Sequence, residues 1–337
     1  MSRSQVTIRD VATYAGVSHQ TVSRVINHSE HVAQKTREKV EQAISELGYK
    51  PNAIARSMAL GRTCLLACLA PNLTDFTFAS LVEGAETEAR KQGYYLISSS
   101  APTADIFESL LSELIESRRV SGMIVINPYI DKRYTYLPKD FPIVFIGSHA
   151  REPGISSVTL HDELAGYLAA QHLIDLGHRQ IGMVTGLMVE DCAQKRCMGF
   201  DQALQEAGIG SDSQLVVEGD WSATSGRLAF MKMVDMGKIP SAIFAQNDRM
   251  AIGVMQAARE LDIQVPQQLS VIGLDDLPLG SYFDPPLTTI QQDIVEIGSR
   301  AAHLLIDNIE DSAFLAKPLT INPTLLVRKS TGPLNNT

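Results

Sequence analysis

Residues 16–29, GVSHQTVSRVINHS, crowd hydrogen-bonding side chains along one short stretch. Arginine presents a planar fork that matches the O6 and N7 acceptors of guanine, glutamine can pair in the same way with adenine, and serine or threonine hydroxyls suit phosphate oxygens. Arg24 and Gln20 are therefore candidates for reading base edges, with His19 beside them. Ser18, Thr21, Ser23 and Asn27 are candidates for gripping a nucleic-acid backbone, joined by Thr7 and His31 at the ends of neighbouring elements.

Such side chains need a rigid element to aim them. Val22, Val25 and Ile26 fall at i, i+3 and i+4, one face of a helix, which leaves His19, Gln20 and Ser23 off that face. Upstream, Thr7 is placed as an N-cap before Val11, Ala12 and Ala15; Gly16 stops that helix and Ser18 caps the next. A third helix is predicted from Gln34 to Leu47, with Val40, Ala43, Ile44 and Leu47 at core spacing and Gly48 as its stop. Residues 1–50 thus read as an all-α helix-turn-helix head of the DNA-binding kind.

Charge agrees with that division. The 337 residues carry a formal net charge of -9, yet residues 1–62 sum to +4 and the remainder to -13. A small basic head on an acidic body is expected to meet double-stranded DNA through the head. No apolar run approaches bilayer length and MSRSQVTIRD has no hydrophobic signal core, so no membrane partner and a cytoplasmic location are expected. Cys64, Cys68, Cys192 and Cys197 lack metal-ligand spacing and are expected to be buried free thiols; no metal and no cofactor is implied.

From Thr63 the pattern changes to short β-rich runs alternating with helical stretches. CLLACLAP, YYLISSS, GMIVIN and PIVFIG form one series, and QIGMVTG, LVVEGD, AIFAQND and LSVIGLDD a second. Helices are predicted near 78–92, 163–176, 190–207, 223–236 and 248–262, giving an α/β body of two doubly wound parallel-sheet lobes. Ligands of such sheets bind beyond the carboxyl ends of the strands, which selects Asn72, Asn127, Asp220, Trp221, Asn247 and Asp275. Carboxylates and amides for hydroxyls, and one flat aromatic for a pyranose face, are the side chains of a sugar site.

Enzyme readings find little support. GHRQIGMVTG lacks both the phosphate-loop ending and the dinucleotide spacing, and no serine sits in a G-x-S-x-G elbow. His161 and Asp162 are sequence neighbours, and Asp162 is assigned to the start of a helix.

DVATYAGVSHQTVSRVIN and HVAQKTREKVEQAISELGYKPN closely resemble the head of the lactose-repressor family of bacterial transcription regulators, and GDWSATSG, AQNDRMAIG, VIGLDD and PPLTTIQQD extend the resemblance to near residue 330. The body alone also resembles periplasmic sugar-binding proteins. The family resemblance implies a hinge helix in 51–62, where Asn52 and Ala55 approach DNA and Met58, in the place of the usual leucine, wedges into a minor-groove base step. It implies a two-lobed body over 63–330, with an N-lobe of 63–161 plus 292–321, a C-lobe of 162–291 plus 322–330, and a tail of 331–337. Carried over by residue, Arg196, Asn247 and Asp275 would hold ligand hydroxyls, Trp221 would stack, Gln292 and Ile294 would line the crossover between lobes, and Phe76 and Ser148 would complete the wall. His19 stands where tyrosine is expected, Gly147–Ser148 where sugar binders often have aspartate, and Ile294 where an aromatic is usual, so the operator and the ligand's size or orientation differ from the relative's.

The implied function is a repressor, not an enzyme, whose operator affinity is lowered by a sugar, a galactoside-like or other glycoside inducer, bound between the lobes. The alternative is a corepressor scheme in which a purine or other small ligand tightens DNA binding. The chain ends LLVRKSTGPLNNT without a heptad tail, so a homodimer on a pseudo-palindromic operator is expected.

Overall fold

Thr7 opens the first helix, α1 (Ile8–Ala15), through a reciprocal box: its Oγ1 accepts from the Asp10 N–H, and the Asp10 carboxylate accepts from the Thr7 N–H at 2.8 Å. Gly16 then takes φ +66°, a left-handed conformation that costs glycine nothing, and Val17 N–H returns to the Ala12 carbonyl at 3.0 Å. Ser18 accepts from Thr21 N–H at 3.1 Å and starts α2 (His19–Ile26). The third helix, α3, spans Gln34–Leu47 and ends at left-handed Gly48. Val11, Ala12, Val22, Val25, Val40 and Ala43 form the buried core of this head, with Ala15, Ile26, Ile44 and Leu47 partly buried around it. The Tyr14 hydroxyl donates to Glu46 and ties α1 to α3.

The computed structural model describes residues 6–26, 31–49, 63–131, 133–138, 141–147, 156–210, 215–311 and 316–334. The expected roles of Asn27, the 51–62 hinge with Asn52, Ala55 and Met58, and Ser148 lie outside the described residues. The chain divides into two units, Met1–Cys64 and Leu65–Thr337.

The second unit holds two six-stranded sheets. The first contains β1 (Leu65–Ala70), β2 (Tyr95–Ser100), β3 (Gly122–Asn127), β4 (Ile143–Gly147), β5 (Ser156–Leu160) and β11 (Pro318–Ile321), in the order β11-β5-β4-β3-β1-β2 and parallel throughout. The second contains β6 (Ile181–Thr185), β7 (Leu215–Glu218), β8 (Ala242–Ala245), β9 (Ser270–Asp275), β10 (Thr288–Gln291) and β12 (Thr324–Leu326), in the order β12-β10-β9-β8-β6-β7. Only β12 runs antiparallel to its neighbour in that sheet. Strand order reverses at β1 in one lobe and at β6 in the other, the points where doubly wound sheets open a crevice. The chain passes between the sheets after β5, after β10 and between β11 and β12.

Helices α4 (Phe76–Lys91), α5 (Ala104–Glu116) and α10 (Ile294–Glu310) accompany the first sheet, and α6 (Asp162–Asp175), α7 (Asp191–Glu206), α8 (Ala223–Asp235) and α9 (Asp248–Glu260) the second. Reciprocal glycines let helix pairs cross almost backbone to backbone. A Cβ on Gly166 of α6 would collide with the Arg196 carbonyl, and one on Gly199 of α7 with the Glu163 carbonyl; Gly84 and Gly298 serve α4 and α10 likewise. The α6–α7 crossing fixes where Arg196 stands.

One expectation needs correction and one is extended. Of the cysteines only Cys68 is buried, and burial pushes its thiol up to about 12; Cys64, Cys192 and Cys197 are half-buried because they sit at a strand start or on the flank of α7, and all are free. Asp162 does begin a helix, but the N-cap is His161, whose Nδ1 accepts from Leu164 N–H at 3.0 Å, and the Asp162 carboxylate is turned to a different task.

Candidate functional site

On the head, Ser18, His19, Gln20 and Arg24 are exposed, Thr21 and Ser23 half-buried, and Val22 and Val25 hold the opposite side of α2 in the core. Thr7 and His31 are exposed as well. The fold therefore spends the apolar stripe of α2 on packing and presents its polar side outward, the arrangement a recognition helix requires.

In the body, a cavity of about 350 Å³ lies at the carboxyl ends of both sheets. Asn72, Phe76, Arg196, Trp221, Asn247, Asp275, Gln292 and Ile294 all line it, as does Asp220. Asn127 does not: its Oδ1 accepts from Tyr129 N–H at 3.3 Å and its Nδ2 donates to Asp131 at 3.4 Å, so the amide folds back into its own turn. The walls differ in character. The N-lobe offers Phe76, Phe78, Leu81, Ile126, Ile146, Val158 and Leu160 beside Asn72, Asp75 and Thr77, whereas most of the polar groups cluster on the C-lobe side.

Arg196 is the centre of that polar wall. Its Nε donates to Asp162 Oδ1 at 2.8 Å and its Nη1 to the Gln246 carbonyl at 2.7 Å, while its guanidinium carbon lies 5.7 Å from the Trp221 ring centroid. Burial disfavours the guanidinium charge, but Asp162 and the neighbouring anionic groups more than restore it and hold the pKa above its ordinary value. The Trp221 indole lies against Gly186, where a Cβ would collide with the ring. Its Nε1–H is buried near the Glu190 carboxyl without the geometry of a hydrogen bond.

Asn247 caps α9: its Oδ1 accepts from Met250 N–H at 2.8 Å and its Nδ2 donates to the Trp221 carbonyl at 3.0 Å. Asn72 accepts from Asp75 N–H at 2.8 Å and from Thr74 N–H at 3.1 Å. Both amides thus hold backbone, and position the wall more than they reach beyond it. Asp275, at φ +128°, accepts from Gln292 Nε2; burial, then the nearby Asp248, drives its pKa well above the ordinary carboxylate value.

The lobes are linked across this cavity. Arg249 Nη1 donates to Asp75 Oδ2 at 2.9 Å, and residues 128–130 pair with 189–191 through Ile130 N–H to the Val189 carbonyl at 3.1 Å and Asp191 N–H to the Pro128 carbonyl at 3.0 Å. Asp75, Tyr129, Asp162, Glu190 and Arg249 were missed as site residues. Asp162 follows β5, and the strand-end rule applied to SSVTL would have found it; Glu190 and Arg249 carry no local signal, because neither directly follows a strand.

A helix-turn-helix head and a two-lobed, periplasmic-binding-protein-like body with a ligand-sized cavity together define a transcriptional regulator. Residues 7–52 match the model of bacterial regulatory proteins of the lacI family, and residues 170–331 that of the periplasmic binding protein-like domain. The HTH-type transcriptional repressor PurR of Vibrio atlanticus is 33% identical over 98% of this chain and 99% of its own length. Among solved structures, the lac repressor dimer bound to operator and the anti-inducer ONPF shares 33% identity over 98% of this chain and 100% of that one, with a TM-score of 0.87. The transcriptional regulator CelR–cellobiose complex shares 29% identity over 97% of this chain and 100% of that one, with a TM-score of 0.74. The chain belongs to the lacI family of bacterial regulatory proteins. It is a DNA-binding transcriptional repressor and not an enzyme.

Proposed function

We propose that this repressor is of the corepressor type: a flat, purine-like small molecule bound in the interlobe cavity tightens its hold on operator DNA, to which it binds as a homodimer. One observation carries the choice of ligand class. The amides expected to hold sugar hydroxyls accept from or donate to backbone or are turned away, at Asn247, Asn72 and Asn127, while most of the N-lobe wall is apolar. A polyhydroxylated ring would leave hydroxyls unmatched against that wall, at a cost of about 1–3 kcal/mol for each buried group without a partner. A flat heterocycle lays its faces on apolar surface and concentrates its polar atoms on one edge. The relatives named PurR support the same reading. Assembly as a dimer is supported by the lac repressor dimer on its operator.

The sugar-inducer reading keeps one specific support, the grouping of Arg196, Trp221 and Asp275 on a single wall, together with the likeness to a cellobiose complex. The two schemes differ in sign. Operator DNA is selected by the full chain from a random pool, and its affinity is titrated with and without purine bases, nucleosides, mono- and disaccharides. Tighter binding with a purine base is expected, and linkage requires DNA to tighten base binding by the same factor. A disaccharide that binds and weakens the complex would overturn the proposal.

A further inference from the structure

The charges lining the cavity do not balance. Five carboxylates, Asp75, Asp162, Glu190, Asp220 and Asp275, share it with Arg196 and Arg249. Arg249 is engaged by Asp75 and Arg196 by Asp162, and Asp220 stands on the exposed rim accepting from Ser222 N–H at 3.0 Å. Glu190 and Asp275 are left, each 7% exposed and, among the described residues, in no ion pair, with Arg196 the nearby cation both share with Asp162. Asp275 holds the Gln292 amide; among the described residues, Glu190 is hydrogen-bonded only by the Cys192 thiol, at 3.9 Å. Trp221, whose buried Nε1–H has no hydrogen-bond partner among the described residues, lines the cavity from the C-lobe and Tyr129 from the N-lobe, so aromatic surface adjoins these acids from both sides.

A buried carboxylate whose neighbouring cation, Arg196, is already paired with Asp162 is costly, and a charge-assisted hydrogen bond from a second cation relieves that cost. Resting on the reading of this cavity as the site of a flat effector, we propose that the effector is an amidine-type nitrogen base that binds as its conjugate acid, its donor edge directed to Glu190 and Asp275. Burial raises the proton affinity of both carboxyls in the ligand-free protein, so a bound cation also replaces protons there.

The test pairs isosteres that differ in this edge alone: benzamidine with benzamide, and adenine with hypoxanthine, each titrated calorimetrically into the full chain. The amidine member of each pair is expected to bind at least about tenfold tighter, the ratio that a single charge-assisted hydrogen bond supplies. Glu190→Gln and Asp275→Asn are each expected to shrink that ratio, and the double variant to remove it. Equal or inverted affinities in the wild-type chain, no binding of either amidine at millimolar concentration, or a preference that survives in the double variant overturns the inference. The wild-type comparison stands even if a variant fails to fold. Failure of the broader reading looks different: a bound amidine that weakens operator binding overturns corepression and keeps the charge assignment, whereas hypoxanthine that binds better and tightens operator binding does the reverse.

Discussion

Tyr129 and Glu190 face each other across the lobe boundary as an antiparallel backbone pair, and both side chains also line the cavity. The residues that join the lobes are therefore also residues that line the cavity. A molecule resting on Glu190 is expected to act on lobe closure without an intervening relay, because moving Glu190 moves the backbone that bridges the lobes.

Two links span the cleft, and they are unequal. The Arg249–Asp75 pair is partly exposed, with side-chain exposures of 42% and 26%, and an ion pair of that kind contributes about 0–1 kcal/mol. The backbone bridge at 128–130 and 189–191 loses its first hydrogen bond outright if the donor is removed. Ile130→Pro is expected to accelerate amide exchange at Asp191 by about tenfold, the effect of one lost hydrogen bond, and to weaken ligand binding. Arg249→Ala is expected to change exchange at Asp191 little. Hydrogen-exchange mass spectrometry of the two variants decides it, and equal effects would show that the bridge is not the stronger link.

Arg196 and Asp162 are each buried to within 7% of full side-chain burial, so breaking their pair strands a charge. Arg196→Met alone is expected to cost about 3–5 kcal/mol in urea unfolding, whereas Arg196→Met with Asp162→Leu costs markedly less, because no unpaired carboxylate remains. A double variant as unstable as the single would place the cost in the lost Gln246 and Trp221 contacts instead.

Asp248 is fully buried at the start of α9, accepting from Thr289 Oγ1 at 2.6 Å and Leu277 N–H at 2.7 Å, and burial raises its pKa from 3.8 to about 6. With the folded value above the unfolded one, its stabilising contribution is complete below 3.8 and is lost as pH rises through about 6. The loss amounts to about 3 kcal/mol. Asp248→Asn has no such proton to lose. Wild type is expected to lose stability relative to this variant across that window, and parallel pH profiles for the two would refute the assignment. The constant offset from the weakened Leu277 contact does not depend on pH.

Much of this was legible in the sequence, for reasons that differ by element. The head announces itself because Thr7, Gly16, Ser18 and Gly48 punctuate three apolar stripes, and the structure ends its helices at those residues. Strands β3, β6 and β9, buried throughout, and β1, buried after its first residue, read as continuous apolar runs. Strands β11 and β12, only partly buried at sheet edges and bounded by Asn322 and Pro323, carry too weak a signal. The strand-end rule found the floor of the cavity. It could not find Glu190 or Arg249, which do not directly follow a strand, nor foresee that Asn127 would satisfy itself locally.

The polar side of α2 separates two effects that a single loss of DNA binding would confuse. Arg24 is exposed and lies outside the buried core of the head, so Arg24→Ala is expected to leave the thermal unfolding of the head unchanged. It should cost about 1–3 kcal/mol of operator affinity and relax selection at one base position, the signature of a lost base contact. Thr7 closes the capping box of α1, so Thr7→Ala is expected to destabilise the head by about 1 kcal/mol and to weaken binding to all sequences alike. Selection from a random DNA pool with each variant, beside its melting curve, reads both quantities. If Arg24→Ala lowered affinity without altering the selected sequence, Arg24 would be a phosphate contact, and base reading would fall to Gln20 and His19.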